Sequence, residues 1–304
     1  MTSFTFDTAE PEERDAALRL VFQHLDLAEQ DVRVANALRL VSSGELDPAG
    51  ILVVREKDPL TGALLCLPLP GAGGLIWPPS VEESALRREK ENQLVQTALA
   101  WLRSRGAKLV QAILQDQEVH LAGPLLQNGF THVTRLRYLR HDLQGPVSVP
   151  KELAVQTYSQ ANRGLFHEVL QRTYEGTLDC PELNGKRTVE EIIAGHQAQD
   201  EFRPEHWWLA SNGSQPIGVL LTTSDPGHNW ELSYVGVLPT ARRQGWGRRL
   251  TQLAIAEARA AGAEHLTVAV DARNHPAWNL YISLGFEATG EREVFLRFLP
   301  TTGG

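Results

Sequence analysis

Cysteine is nearly absent from this 304-residue chain, which holds only Cys66 and Cys180. Two such thiols make no disulfide framework, and neither sits in a metal-type spacing. Long apolar runs are missing too. The most apolar stretch, "GALLCLPLPGAGGLIWPP", is broken by four glycines and four prolines, so it reads as strands and turns rather than a membrane span. The start, "MTSFTFDTAEPEERD", has neither the basic residues nor the apolar run of a signal peptide. Positive charge is in deficit: the formal net charge is −8, which argues against nonspecific binding to nucleic acid or membrane surfaces, both polyanionic. Also absent are a Gly-Lys-Ser/Thr nucleotide loop, the third glycine of G-x-G-x-x-G, and a G-x-S-x-G nucleophile setting. What remains is a soluble protein expected in a reducing cytoplasm, its oligomeric state open.

The chain is 42% hydrophobic and 22% charged, with core material for two domains of ordinary size. Segment 144–152, within "QGPVSVPKEL", reads as a linker between domains 1–143 and 153–304. The two halves repeat one another. "RGAKLVQAILQDQEVHLAGPLLQNGF" aligns without a gap on "AGAEHLTVAVDARNHPAWNLYISLGF", with Gly106, Ala107, Gly129 and Phe130 falling on Gly262, Ala263, Gly285 and Phe286. Each is preceded by an amphipathic helix, "KENQLVQTALAWLRS" or "RRLTQLAIAEARA". In the second half, "HWWLASN", "PIGVLLTTS", "NWELSYVGVL" and "HLTVAVD" read as strands, interspersed with helices. That order predicts an α/β or α+β domain. Trp207 and Trp208 alternate along their strand, so one is expected in the core while the other lines the acceptor cleft.

Within "VLPTARRQGWGRRL" four arginines, Arg242, Arg243, Arg248 and Arg249, surround Gly245-Trp246-Gly247. A glycine-flanked turn that opens a helix aims several free N–H groups at one point, where the helix dipole adds positive charge. On the loop alone two readings stay open: an anion cradle, or a plain loop–helix junction with surface arginines. Four scattered histidines, His196, His206, His228 and His275, form no metal spacing and read as surface or turn residues.

The loop resembles the pyrophosphate-binding segment of the GNAT acetyltransferases, R/Q-x-x-G-x-G/A, here Arg242-Arg243-Gln244-Gly245-Trp246-Gly247 behind Val235, Val237 and Pro239. The downstream pattern N-x-x-A-x-x-L-Y-x-x-x-G-F is met by Asn274, Ala277, Leu280, Tyr281, Gly285 and Phe286. The resemblance is strong over 153–300 and weak over 1–143. It implies two tandem GNAT-like domains, each a mixed, mostly antiparallel central sheet flanked by helices. The layout is similar to that of the mycothiol synthases, which does not fix the substrate.

The resemblance further implies acetyl-CoA as donor, no metal, and direct attack by the amine of a small molecule. The N–H groups of Gln244 through Arg248 would hold the pyrophosphate, with Arg242 and Arg243 raising the potential. Val235 and Val237, on a strand splayed from its neighbour, would pair with the pantetheine amides. Glu231 matches the position of the base, where burial would raise its pKa, and Tyr281 that of the acid. Asn274 caps its helix or touches CoA. Glu175, Asp179 and Glu182, in "TYEGTLDCPELNGKR", either attract a cationic amine or form a solvated acidic loop. In the first half Leu125 stands where Tyr281 does and Glu118 where Asn274 does. "PPSVEESALRREK" there lacks glycine and brings in Glu82 and Glu83, so that half is expected to be degenerate. A protein Lys or N-terminal acetyltransferase and a non-catalytic acyl-CoA sensor are the competing functions.

Overall fold

The computed structural model describes residues 4–57, 59–145, 153–199, 202–225 and 229–300. The chain forms two compact units, Met1–Val133 with Glu293–Gly304, and Thr134–Arg292.

The first unit contains β1 (Phe4–Thr8), α1 (Arg14–Val21), α2 (Leu27–Ser43), β2 (Ile51–Glu56), β3 (Leu60–Leu69), β4 (Gly73–Ile76), β5 (Ser80–Val81), α3 (Arg87–Ser104), β6 (Leu109–Leu114), α4 (Gly123–Gln127) and the first residues of β7 (Thr131–His141). β1, β2, β3 and β4 pair antiparallel in that order, and β4 pairs with β6 in parallel. β2 reads "ILVV" because both of its faces are covered. Ile51 and Val53 pack with Leu18 and Val21 of α1, while Leu52 and Val54 pack with Leu94 and Val95 of α3.

The second unit takes the rest of β7, then β8 (Ala154–Thr157), α5 (Arg163–Thr173), α6 (Val189–Gln197), β9 (Trp207–Asn212), β10 (Gln215–Ser224), β11 (Trp230–Val237), α7 (Trp246–Ala260), β12 (Leu266–Asp271), α8 (His275–Ser283) and the first residues of β13 (Glu287–Phe298). The sheet runs β8-β9-β10-β11-β12-β7. Only β11–β12 is parallel; the other pairs are antiparallel. Both units are thus mixed, mostly antiparallel sheets flanked by helices, as the fold class expected from sequence requires.

The partition differs from a cut at 144–152. Residues 134–143 group with the second unit, where Leu136–His141 pair with β12, and 293–298 group with the first, where they pair with β6. Each half by sequence gives up part of a strand, so the units do not coincide with the repeat. Linker residues 146–152 lie outside the described residues.

Both tryptophans of β9 are buried, at 1% and 5% exposure, which corrects the expectation that one faces a cleft. Trp207 sits in an aromatic cluster with Tyr158, Phe166 and Phe202, and Trp208 lies beside His206. A sheet covered on both faces buries alternate residues alike. His196, expected at the surface, lies between Trp207 and Tyr234; burial holds its imidazole down at about 4. His228 is outside the described residues.

Candidate functional site

β11 and β12 start as paired neighbours and then part. Their parallel register holds at Trp230–Leu266 and Glu231–Thr267, yet β11 runs on to Val237 and β12 to Asp271. A register shift opposite Leu221/Thr222 of β10 marks a bulge in this stretch, and bulges bend and twist the strand that carries them. The Leu238 N–H donates to Ile217 across β10 at 2.8 Å. In an antiparallel pair successive residues alternate the edge to which they turn N–H and C=O. Val235 and Val237 therefore turn theirs toward the parted side.

The parting opens a cavity of about 610 Å³. Leu232–Val237 form one wall and Val268–Val270 the other. The loop Arg242–Arg248 closes one end, and Asn274, Leu280 and Tyr281 reach it from the start and middle of α8.

At the loop, Gly245 stands in the left-handed region (φ 82°) as N-cap of α7, with no side-chain cap. Arg243 is also left-handed, at φ 63°. The first turn of α7 carries no acidic residue, so the N–H groups of Trp246, Gly247 and Arg248 are left to an anion. Trp246 itself is buried, and its neighbour Arg249 stacks on the indole at 4.5 Å. Arg243, Gln244, Gly245 and Arg248 are exposed.

Arg242 does something the charge pattern did not suggest. Its Nε donates to the Val237 carbonyl at 3.1 Å, Nη1 to Gly176 at 3.1 Å, and Nη2 to Thr173 and Glu175 at 3.0 and 2.7 Å. The guanidinium is thus committed to clamping the end of α5 onto the loop, a correction to its expected part in raising anion potential alone. Arg242→Met should leave four carbonyls unpartnered and cost about 1–3 kcal/mol. Urea unfolding will measure this, and a loss below about 0.5 kcal/mol would show that water replaces the clamp.

Tyr281 is 4% exposed, packs 5.5 Å from Phe286, and presents itself to the cavity. Burial, and then the charge of Asp179, push its phenol well up. Asn274 caps α8, its Oδ1 accepting from the Ala277 N–H at 3.2 Å, and it also lines the cavity. Glu231 is exposed and does not line the cavity, so the burial expected of it is not found.

The acidic loop divides by residue. Glu175 is exposed, and Glu182 is held by Arg273 in a two-pronged pair at 2.7 and 2.9 Å. Arg273 also donates to Asp271 at 2.7 Å. Burial would lift the Asp271 carboxyl, but hydrogen bonds from Arg273, from Thr134 at 2.6 Å and from backbone N–H groups hold it at about 2. One of those N–H groups is that of Cys180, at 3.0 Å. Asp179, half-buried, turns into the cavity, and its Oδ1 accepts from the Asp271 N–H at 2.8 Å. The Asp271–Arg273–Glu182 anchor escaped sequence reading, since its partners lie about ninety residues apart. Thr173 and Tyr234 were missed as well: their hydroxyls meet at 2.9 Å on the cavity wall.

Among the described residues no helix is long and apolar enough to cross a membrane, and no three His, Cys, Asp or Glu side chains group as a metal site.

Comparison with known proteins agrees with this geometry. The model of the acetyltransferase (GNAT) family matches residues 170–286. A mycothiol acetyltransferase of Thermomonospora curvata is 32% identical over 163 residues, 52% of this chain and 53% of that protein. One from Acidothermus cellulolyticus is 30% identical over 190 residues, 56% of each. The chain thus spans about half the length of the curated relatives it matches. Among solved structures, a GCN5-related N-acetyltransferase from Sphaerobacter thermophilus superposes with TM-score 0.63 at 19% identity, covering 97% of this chain and 95% of its own. A tandem GNAT protein from the clavulanic acid biosynthesis pathway does so with TM-score 0.53 at 15% identity, covering 99% and 100%. At those identities the likeness concerns the fold, here a tandem one. With its parted strands, glycine-led helix and family-model match, the stretch 170–286 is a domain of the acetyltransferase (GNAT) family.

Proposed function

We propose that the chain is an acetyl-CoA-dependent N-acetyltransferase that acetylates the amine of a small molecule by direct attack in a ternary complex. The observation that carries this reading is the convergence of three features on one cavity: free edges of β11 and β12, the uncapped start of α7, and the buried Tyr281. The N–H groups from Gln244 to Arg248 hold the pyrophosphate, and exposed Arg243 and Arg248 add positive potential. Val235 offers its N–H and C=O to the pantetheine amides, while the Val237 carbonyl is taken by Arg242. The Val237 N–H stabilises the thioester oxygen as charge develops on it. Tyr281 gives its proton to the departing thiolate. The curated relatives bear the name mycothiol acetyltransferase, which supports acetyl transfer as the reaction and makes a mycothiol-type amine the first acceptor to try.

The first unit lacks these parts. Leu125, at the position of Tyr281, is fully buried. Glu118, at that of Asn274, is buried beside His24 at 3.0 Å and Arg33 at 3.7 Å. The first turn of α3 carries Glu89, and Glu83 and Glu91 bind Arg87. We therefore expect one acetyl-CoA per chain. At a ligand concentration of 100 Kd it should stabilise the fold by about 2.7 kcal/mol. Calorimetric stoichiometry and product mass with a panel of amines test both points. Two equivalent sites would overturn the reading of the first unit, and no acetylated amine the reading of the second.

A further inference from the structure

Attack on the thioester needs a neutral amine, so an ammonium acceptor must give up a proton on arrival, and Glu231 does not line the cavity. We infer that Asp179 receives the acceptor's ammonium and takes its proton before attack, an inference that rests on the acetyl-transfer reading above.

Among the described residues lining the cavity, Asp179 alone bears a carboxylate. The other carboxylates nearby are set apart: Glu182 of the same loop and Asp271 at the end of β12 are held by Arg273, and Glu175 is exposed and off the cavity wall. Of its own oxygens, Oδ1 accepts the Asp271 N–H, and Oδ2 has no hydrogen-bond partner among the described residues. Hydrogen bonds tie the loop to the end of β12 at this point. The Cys180 N–H donates to Asp271, and Arg273 ties Glu182 to the end of β12. A carboxylate so held presents one free oxygen to the cavity without having to reorganise.

Charged and titratable groups meet Asp179 from every side. Asp271 and Arg273 face it from the end of β12, Tyr234 from β11, Tyr281 from α8, Tyr174 from the end of α5, and Cys180 and Glu182 from its own loop. Burial, reinforced by Asp271 and opposed by the Asp271 N–H and Arg273, lifts its carboxyl above the usual range. Its charge also helps to raise the Tyr281 phenol, so the proton acceptor and proton donor are within electrostatic reach of one another.

The protons balance. Asp179 takes one from the ammonium, leaving a neutral amine whose lone pair forms the C–N bond at the thioester carbon. The C–S bond then breaks, and Tyr281 protonates the sulfur. The attacking nitrogen gives up its second proton, which restores Tyr281. Asp179 releases its own to water, so one H⁺ leaves per amide formed.

The test compares Asp179→Asn with the parent chain across pH. It uses acetyl-CoA and whichever amine is turned over from a panel of a mycothiol-type amine, tyramine, spermidine, glucosamine and alanine methyl ester. Asparagine keeps the Oδ1 acceptor for Asp271, so the fold should persist. Because the carboxyl is raised in the folded state, its charged form costs stability above that pKa, and the variant should be the more stable at pH 7. We expect kcat/KM for the amine to fall about 10²–10³-fold at neutral pH. The deficit should shrink above the amine's own pKa, and acetyl-CoA affinity should be unchanged. A wild-type pH profile in Asp179→Asn, or a profile displaced only by Glu231→Gln, overturns the assignment of Asp179 alone. A parent chain that binds acetyl-CoA but acetylates no amine, a mycothiol-type one included, overturns the acetyl-transfer reading and this one with it.

Discussion

Tyr281→Phe should lower kcat by about 10²–10⁴-fold while leaving acetyl-CoA affinity within a few-fold of the parent. The ring is buried in α8 against Phe286, and phenylalanine preserves that contact. Among the described residues the hydroxyl has no hydrogen-bond partner, so its removal strands no buried group and stability should hold within about 0.5 kcal/mol. What is lost is a proton at the sulfur. Burial and the charge of Asp179 raise the phenol, which keeps it protonated at neutral pH. A rise in KM for acetyl-CoA with kcat unchanged would mean that the hydroxyl binds rather than reacts. Normal turnover would move the acid elsewhere. Thiol-release kinetics and calorimetry on the same preparation separate these outcomes.

The parts of the site that could be read from sequence are those that local chain order creates. Gly245-Trp246-Gly247 before an amphipathic run announces a helix with a bare N-terminus, and Asn274 three residues before Ala277 announces a cap. Parts that depend on distant partners could not be read. The four arginines look alike in sequence, yet Arg242 spends itself on carbonyls of residues 173–176 and Val237. Asp179 reads as one of three acidic loop residues until Arg273, far along the chain, takes Glu182 and the fold leaves Glu175 exposed. Glu231 fits a pattern of positions, but it stands where β11 is still paired with β12, before the strands part to open the cavity. The repeat was legible as helix, strand and helix. The strand exchange was not, because hydrophobic alternation fixes which face a strand buries and says nothing of which sheet it joins.

Gly247→Glu is expected to fold normally and lose acetyl-CoA binding by about 10²–10³-fold. The two halves of that result have separate causes. Gly247 has no left-handed φ, and a Cβ there would meet only Leu280 Cδ2, at 3.5 Å, an ordinary contact. The protein's own packing therefore does not require glycine at this second helical position. A glutamate in the first turn of α7 is favoured by the helix dipole, by roughly 0.3–1 kcal/mol, and replacing glycine removes backbone entropy from the unfolded chain. Thermal stability without ligand should thus be equal or higher. The same carboxylate would stand among the free N–H groups of Trp246, Gly247 and Arg248, where a pyrophosphate is proposed. Two unit charges about 4 Å apart near a protein surface repel by roughly 4 kcal/mol, close to three decades of affinity. Gly247→Ala separates charge from bulk: it should keep the gain in stability and lose affinity only to the extent that the anion approaches the backbone closely. Acetyl-CoA affinity unchanged in Gly247→Glu, with the fold intact by circular dichroism, would mean that the start of α7 holds no phosphate.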